Sequence, residues 1–328
     1  CSEGLTPMAR LLFVADPIET FKAYKDSTVA MMAAAQSRGH EVFACEPTDL
    51  SAQTRNGQTQ VAIKARGLQM AGQPQDADPW CQVVSEQTYQ AQDFDVVLMR
   101  KDPPFDVDFL VATQLLDVMA RAGVWVMNQP AALRDHGEKL AALEFSQFTP
   151  TTVVSACMSQ LSQFAKDHDK VVFKPLDAMG GSGIFVTQAT DPNLPVILET
   201  LTDHGRRAIM GQQWLPQIVD GDKRILLIDG KPVPYALARI PPAGASRGNL
   251  AAGGRGEARP LTDRDLEIAN TLGPILAQRG LFLVGLDVIG DHLTEVNVTS
   301  PTGFREITTQ TGFDVAQAFI QAIEARLA

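Results

Sequence analysis

The stretch VVFKPLDAMGGSGIF, residues 171–185, ends a short apolar run on Lys174 and then turns through Gly180, Gly181 and Gly183 into another apolar run. Glycines let backbone N–H groups come close to phosphate oxygens, and the lysine adds a point charge. This reads as a phosphate cradle. It is not the Walker type, because Lys174 precedes the glycines and no Gly-Lys-Ser/Thr follows. Alone, it also fits an ordinary glycine hairpin with a surface lysine. A second stretch, LDVIGDHLTEVNVTSP (286–301), carries Asp287, Glu295 and Asn297 on two adjacent strands. These are oxygen donors of the type magnesium requires. Glu295 and Asn297, two apart, share a sheet face. A two-residue turn at Gly290-Asp291 pairs Asp287 with Thr294 and turns its carboxylate away, whereas a three-residue loop, Gly290 to His292, pairs it with Glu295. The longer loop is expected, since it completes the site. A solvated acidic hairpin is the alternative, and the place of Asp287 between Leu286 and Val288 argues against it.

Basic side chains gather in one segment. From Lys223 to Arg259 there are seven (Lys223, Arg224, Lys231, Arg239, Arg247, Arg255, Arg259) against Asp229 and Glu257, a net of +5 that leaves −15 on the rest of a chain of −10. Arg224 and Arg239 fall on strands. Arg247 and Arg255 fall in a stretch rich in Gly, Pro, Ala and Arg, 240–258, which cannot bury enough apolar area to hold itself and reads as a mobile lid closing on phosphates. In LMRKDPPFD (98–106), Arg100 and Lys101 leave a strand's carboxyl end, where an arginine can fork onto a substrate carboxylate. Lys25 and Asp26 precede a helix N-terminus, which favours anions. The five histidines have neither zinc spacing nor a serine partner in a recognisable elbow and read as surface residues.

The elements that must carry these groups fall into two patterns. Up to residue 128, strands at Leu11–Ala15, Glu41–Cys45, Phe94–Met99 and Val124–Met127 alternate with helices at Ser27–Arg38, with Ser27 as N-cap, and Val107–Arg121. The polar, glycine-bearing stretch Ser51–Gly72 is an excursion such as a hairpin. Strands separated by helices predict a parallel sheet with ligand sites beyond the strands' carboxyl ends. After Asn128 and Pro130 the reading is α+β. Strands follow at Val171–Lys174, Gly183–Thr187, Ile209–Leu215, Arg224–Ile228 and Val233–Ile240, with an Asp229-Gly230 hairpin turn between the last two. A helix at Thr262–Arg279, two strands and a terminal helix from Asp314 complete the chain.

Composition bounds the function. With 328 residues and 45% of them hydrophobic, the chain has room for two or three folded units and is not disordered. A net charge of −10 excludes wrapping nucleic acid or an anionic membrane with the whole surface but not a small anion in a basic cleft. Cys1, Cys45, Cys81 and Cys157 have no paired spacing, which fits a reducing compartment, and no apolar run reaches a membrane span of about 20 residues. A soluble, cytoplasmic protein is expected. Cys1 to Pro7 reads as a remnant of expression, with Met8 the native start; a lipid-bearing N-terminal Cys is the alternative.

Six stretches together resemble the bacterial-type glutathione synthetase family of ATP-grasp ligases: MRKDPPFD (99–106), ALRDHGEKL (132–140), FKPLDAMGG (173–181), DGDKR (220–224), RGNLAAGGRGE (247–257) and GLDVIGDHLTEVNVTSPTGFRE (285–306). The resemblance runs over nearly the whole chain from Met8. It implies an α/β, doubly wound N-terminal domain (8–128) that binds substrate. An α+β ATP-grasp fold follows, made of a central lid subdomain (129–216, with its linker) and a C-terminal subdomain (217–328). Lys139, Lys174, Gly180, Gly181 and Arg255 would meet ATP, with Gln212, Gln213 and Leu215 along adenine. Asp287, Glu295 and Asn297 would hold magnesium, with manganese as an alternative. Lys25, Arg100 and Arg247 would bind substrate, and Arg224 and Arg239 would be catalytic. The implied reaction joins γ-glutamylcysteine and glycine through an acyl phosphate, in a homo-oligomer. Gln213-Trp214 and Ala178 depart from the common pattern and bear on nucleotide fit. The rival expectations are another carboxylate-amine ligase of the same fold and a non-catalytic ATP-binding regulator.

Overall fold

The computed structural model describes residues 8–177, 180–242, 244, 248 and 253–328. Its first part contains β1 (Arg10–Val14), α1 (Ser27–Ser37), β2 (Glu41–Cys45), β3 (Leu50–Arg55), β4 (Gln58–Met70), β5 (Cys81–Gln90), β6 (Val96–Met99), α2 (Val107–Arg121), β7 (Trp125–Met127) and α3 (Pro130–Asp135). The order β2-β1-β6-β7 is parallel, as the alternating pattern predicts. An antiparallel flap of β3, β4 and β5 extends it from the β2 edge. Strand alternation sends Leu12, Val14 and Val97 toward α2, and Leu11, Phe13 and Val96 toward α1, so the sheet is covered on both faces. The N-cap of α1 is Asp26 rather than Ser27: Asp26 Oδ1 accepts from Thr28 N at 2.7 Å and Val29 N at 3.0 Å. A carboxylate satisfies two free helix donors at once and also complements the helix dipole.

The middle of the chain forms β8 (Thr152–Ser155), α4 (Met158–Lys166), β9 (Val171–Pro175), β10 (Phe185–Thr187), α5 (Leu194–Leu201) and β11 (Ile209–Gln213). The sheet order is β10-β9-β11-β8, all antiparallel. Its core is a small cluster around Leu161, Phe173, Leu198 and Ile209, separate from the rest of the molecule's core.

The last part holds β12 (Asp222–Ile228), β13 (Lys231–Ile240), β14 (Arg255–Pro260), α6 (Asp263–Gln278), β15 (Leu283–Ile289), β16 (His292–Asn297), α7 (Phe304–Thr311) and α8 (Val315–Leu327). The sheet order is β14-β13-β12-β15-β16. Asp229 (φ 48°) and Gly230 (φ 75°) form the two-residue turn read from the sequence, since its left-handed conformations suit Asp and Gly. The stretch 240–258 is not one loop: Arg255–Pro260 is a strand, pairing Ile240 with Arg255 through Tyr235 with Pro260. Backbone ladder bonds to β13 hold it, with Ala258 its one side chain packed on the large core cluster among the described residues. Of the remainder on which the lid expectation rests, 243, 245–247 (with Arg247) and 249–252 lie outside the described residues, as does Ala178.

The first and last parts are fused. Each of the two large core clusters runs from the N-terminal sheet to β12 and β15, and α8 packs on α1. Asn128 rivets them: its Nδ2 donates to Leu283 O at 2.8 Å and Val298 O at 2.7 Å, and its Oδ1 accepts from Leu283 N at 2.9 Å. Two histidines read as surface residues are buried in this body. His40 accepts from Ala9 N and meets Glu324 at 2.9 Å, while His136 lies between Ala132 O and Arg279. Among the described residues no helix is long and apolar enough to cross a membrane.

Candidate active site

Sheet register builds the site. One face of the last sheet carries Asp222 and Arg224 on β12, Arg239 on β13, Asp287 on β15, and Glu295 and Asn297 on β16. Asp222 stands opposite Arg239, Arg224 opposite Asp287, and Asp287 opposite Glu295. The last pairing arises differently from the sequence expectation. The turn has two residues, Gly290-Asp291, with Ile289 paired to His292, and the register is restored by Thr294, an extra residue in β16. Its hydroxyl donates to Asp287 O at 3.1 Å. A bulge thus does what a longer loop was expected to do.

Arg224 forks onto Asp287, Nε to Oδ1 at 2.7 Å and Nη2 to Oδ2 at 2.8 Å. Gly285 makes this approach feasible: a Cβ there would lie 3.0 Å from Arg224 Cδ. Arg239 Nη2 bridges Asp287 Oδ2 at 2.8 Å and Asp222 Oδ2 at 2.5 Å. Burial pushes all three carboxyls of this layer upward, but the outcome differs with their partners. For Asp287 the two guanidiniums override burial and hold it well below the usual carboxylate range. Glu295 is likewise lowered, by Lys174 at 3.3 Å and Lys139 at 3.9 Å. Asp222, opposed by Arg239 but repelled by Asp287 and Glu295, is pushed up to about 6, and its Oδ1 is buried without a hydrogen-bond partner among the described residues.

Two cavities meet over this layer. A narrow one of about 110 Å³ lies between the middle sheet and the last sheet. Val172, Val186, Leu215, Ile218 and Ile289 give it apolar walls, while Lys139, Lys174, Gly180 and Gly181 line it with Asp222 and Glu295. A wider one of about 500 Å³ shares Lys139, Gly180 and Glu295 and opens toward the N-terminal domain. It is lined by Arg224, Arg239, Asp287 and Asn297 on one side and by Lys25, Asp26 and Glu306 on the other. The first shape suits a flat base with its phosphates directed to the lysines, and the second a polar acceptor.

Of the residues expected from sequence, Lys139, Lys174, Gly180, Gly181, Gln212, Gln213 and Leu215 line the narrow cavity, and Lys25, Arg224, Arg239, Asp287, Glu295 and Asn297 the wide one. Two lie elsewhere. Arg100 is buried behind the wide cavity, donating to Thr28 Oγ1 at 3.1 Å and Pro301 O at 3.2 Å. Arg255 sits exposed on β14, paired with Glu257 at 3.1 Å. Two acids were missed. Asp222 lies within DGDKR but was not singled out. Glu138 fixes Lys139's segment to the end of β16: its carboxylate accepts from Val298 N, Thr299 N and Thr299 Oγ1, and its carbonyl from Val296 N. Only its position beside Lys139 marks it in the sequence.

Comparison with known proteins adds to this geometry. Residues 9–134 match the family described as prokaryotic glutathione synthetase, N-terminal domain, and residues 138–312 its ATP-grasp domain. The glutathione synthetase of Ralstonia nicotianae is 52% identical over 315 residues, covering 96% of this chain and 95% of that protein. That of Nitrosomonas europaea is 50% identical over 319 residues, covering 97% and 98%. The chain belongs to the prokaryotic glutathione synthetase family. The ATP-grasp fold of the family is also evident in solved structures of low identity. D-cycloserine synthetase DcsG aligns with a TM-score of 0.67 at 16% identity, over 98% of this chain and 100% of that one. The ATP-grasp ligase PsnB, complexed with its minimal precursor, Mg and ADP, aligns with a TM-score of 0.60 at 16% identity over 97% of each chain.

Among the described residues, no three His, Cys, Asp or Glu side chains cluster as a metal site, and the expected set has only two such groups beside Asn297. Its donors are all oxygens on one sheet face, which fits a hard divalent cation such as magnesium.

Proposed function

We propose that this chain, an ATP-dependent ligase of the glutathione synthetase family, joins γ-glutamylcysteine to glycine where the two cavities meet. The observation that carries the reading is the charged layer itself: four cations, Lys139, Lys174, Arg224 and Arg239, converge on Asp287 and Glu295 at the junction of a base-sized slot and a polar chamber.

The cysteinyl carboxylate of the acceptor takes the γ-phosphoryl group of ATP, giving an acyl phosphate and ADP. Glycine's neutral amine then adds to that carbonyl, forming the C–N bond; the tetrahedral intermediate gives up an amine proton and collapses as its C–O bond to phosphate breaks, releasing inorganic phosphate. Lys139 and Lys174 hold the phosphates from two different elements. Arg224 and Arg239 face the chamber with their guanidiniums fixed by Asp287, oriented in advance to stabilise charge on the transferring phosphoryl group and on the oxyanion. Asp287, Glu295 and Asn297 would hold magnesium, which when bound neutralises charge building up on the phosphate oxygens. Closing the middle sheet over the slot keeps water from the acyl phosphate.

The test is incubation with ATP, magnesium and γ-glutamylcysteine, with or without glycine, measuring phosphate release and tripeptide by mass. Stoichiometric phosphate and glutathione, both dependent on the dipeptide, are expected; absence of tripeptide overturns the reading. Lys174→Ala should raise KM for ATP at least about tenfold, the value of one charge-assisted contact. Unchanged nucleotide affinity would remove Lys174 from the phosphate site.

A further inference from the structure

We propose that Glu138 is the proton acceptor of the second half-reaction: its Oε2 takes the proton that glycine's nitrogen must lose before the tetrahedral intermediate collapses to the amide. The inference rests on the ligase reading above and deepens it.

Glu138 stands in the turn that carries Lys139, on the wall of the wide cavity. Its two carboxylate oxygens are placed differently. Oε1 is held by three donors at the end of β16, Thr299 Oγ1 at 2.8 Å, Val298 N at 3.2 Å and Thr299 N at 3.3 Å. Oε2 accepts no hydrogen bond among the described residues and is not fully buried. One oxygen thus fixes the group while the other keeps its lone pairs available, the arrangement a general base requires.

Position separates Glu138 from the other acids around the chamber. Arg224 forks onto Asp287 and Lys174 meets Glu295, so cations occupy both. Asp26 caps α1, Asp16 pairs with Lys101 at 2.7 Å, and Asp102 is hydrogen-bonded with Ser300. Glu306 lies across the chamber beside Lys25 and Arg305, and Asp222 lines the narrow slot, bound to Arg239 at 2.5 Å. Glu138 is near enough to Arg224 to feel its charge, yet forms no ion pair among the described residues. It therefore faces the place where the oxyanion forms. Burial, reinforced by Glu295 and opposed by the Thr299 hydrogen bond, raises its carboxyl above the ordinary value, which makes it a better proton acceptor.

The proton has a complete path. Glycine's nitrogen lone pair forms the C–N bond as the carbonyl π pair moves to oxygen. The N–H bond of the resulting ammonium breaks, its electron pair stays on nitrogen, and the proton goes to Oε2. The oxyanion pair then re-forms C=O and the C–O bond to phosphate breaks. Glu138 passes the proton to the departing group, which leaves as hydrogen phosphate.

Glu138→Gln keeps the side chain's size and an oxygen for the β16 donors but cannot take the proton. The experiment gives wild type and this variant ATP, magnesium and γ-glutamylcysteine, with glycine or hydroxylamine as nucleophile, and measures glutathione or hydroxamate. Hydroxylamine is largely unprotonated at neutral pH, and after addition its more acidic nitrogen loses its proton to water, so hydroxamate reports acyl phosphate formation without a base. In Glu138→Gln, kcat with glycine should fall at least about 100-fold, the contribution of a positioned base. Hydroxamate formation should stay within about threefold and KM for ATP within about twofold, which also shows the variant folded with Lys139 in place. Equal losses with the two nucleophiles would leave Glu138 as an anchor of Lys139 alone, and an unchanged rate with glycine would remove it from the reaction. Either result overturns the inference while the ligase reading stands. If wild type makes no glutathione, both fall.

Discussion

Lys174 and Arg224 reach the same junction of cavities from regions that are built differently. Arg224 stands on β12, whose two faces belong to the two large clusters that also hold the N-terminal sheet. Lys174 stands on β9, in a four-stranded sheet with a small core of its own, eight buried residues among those described. The arginines and Asp287 thus have a mutual geometry fixed by a shared core. The position of Lys174 relative to them depends on a smaller body and on its contact with Glu295. A region held mainly by its own small core can move as a unit against a fixed partner, which a phosphate-gripping sheet needs and a charge-stabilising layer does not.

The largest effect should come from breaking the fixed side. Arg239→Ala leaves Asp222 and Asp287 buried without their shared cation and should cost about 3 to 5 kcal/mol. Denaturant unfolding would show it, together with a fall in glutathione formation of at least about 100-fold from lost charge stabilisation. A variant as stable as wild type would mean the layer is not held as one electrostatic unit. Phe173→Ala empties the centre of the small core and should cost about 3 kcal/mol, confined to the middle sheet. Hydrogen exchange should quicken in β9 and β11 while α1 and α8 keep their protection; equal loosening of both would end the distinction between the two bodies. The smallest effect lies at the body's seam, where Glu324 accepts from Arg38 at 2.8 and 2.5 Å and meets His40 at 2.9 Å. The Arg38 hydrogen bond leads the causes that outweigh burial and hold this carboxyl below its ordinary value. Its contribution is therefore full above the unfolded pKa and is lost as pH falls through the lower folded value. Glu324→Gln should be less stable than wild type by about 1 to 2 kcal/mol at neutral pH, with the gap closing below about pH 4. A gap independent of pH would assign the loss to packing.

Much of this was legible in the sequence where side chains announce their surroundings. The parallel strands are continuous apolar runs, α2 spans the Val107–Arg121 read for it, and Asp229-Gly230 names its own turn. The elements missed are those whose form is set by partners. β5 is largely exposed and β14 reads RGEARP, so neither shows an alternating apolar face; both exist because β4 and β13 offer ladders to pair with. α7 was hidden behind a Pro-Thr-Gly entry. In the site, residue types were readable but distances were not. Nothing in the local sequence says that Asp287 would bind two arginines rather than stand open. Nor does it say that Arg100, at the end of β6, would fall behind the cavity wall.

The bulge at Thr294 has a bearing on how this hairpin tolerates change in length. Side chains alternate faces along a strand, so the hairpin behaves like a parity code: its two-residue turn alone gives the wrong parity, and one supernumerary residue corrects it. Loss of that residue would leave every amino acid of the hairpin's chemistry in the chain and yet turn Glu295 and Asn297 to the opposite face from Asp287. The site is thus written as a count of residues as much as in their identity.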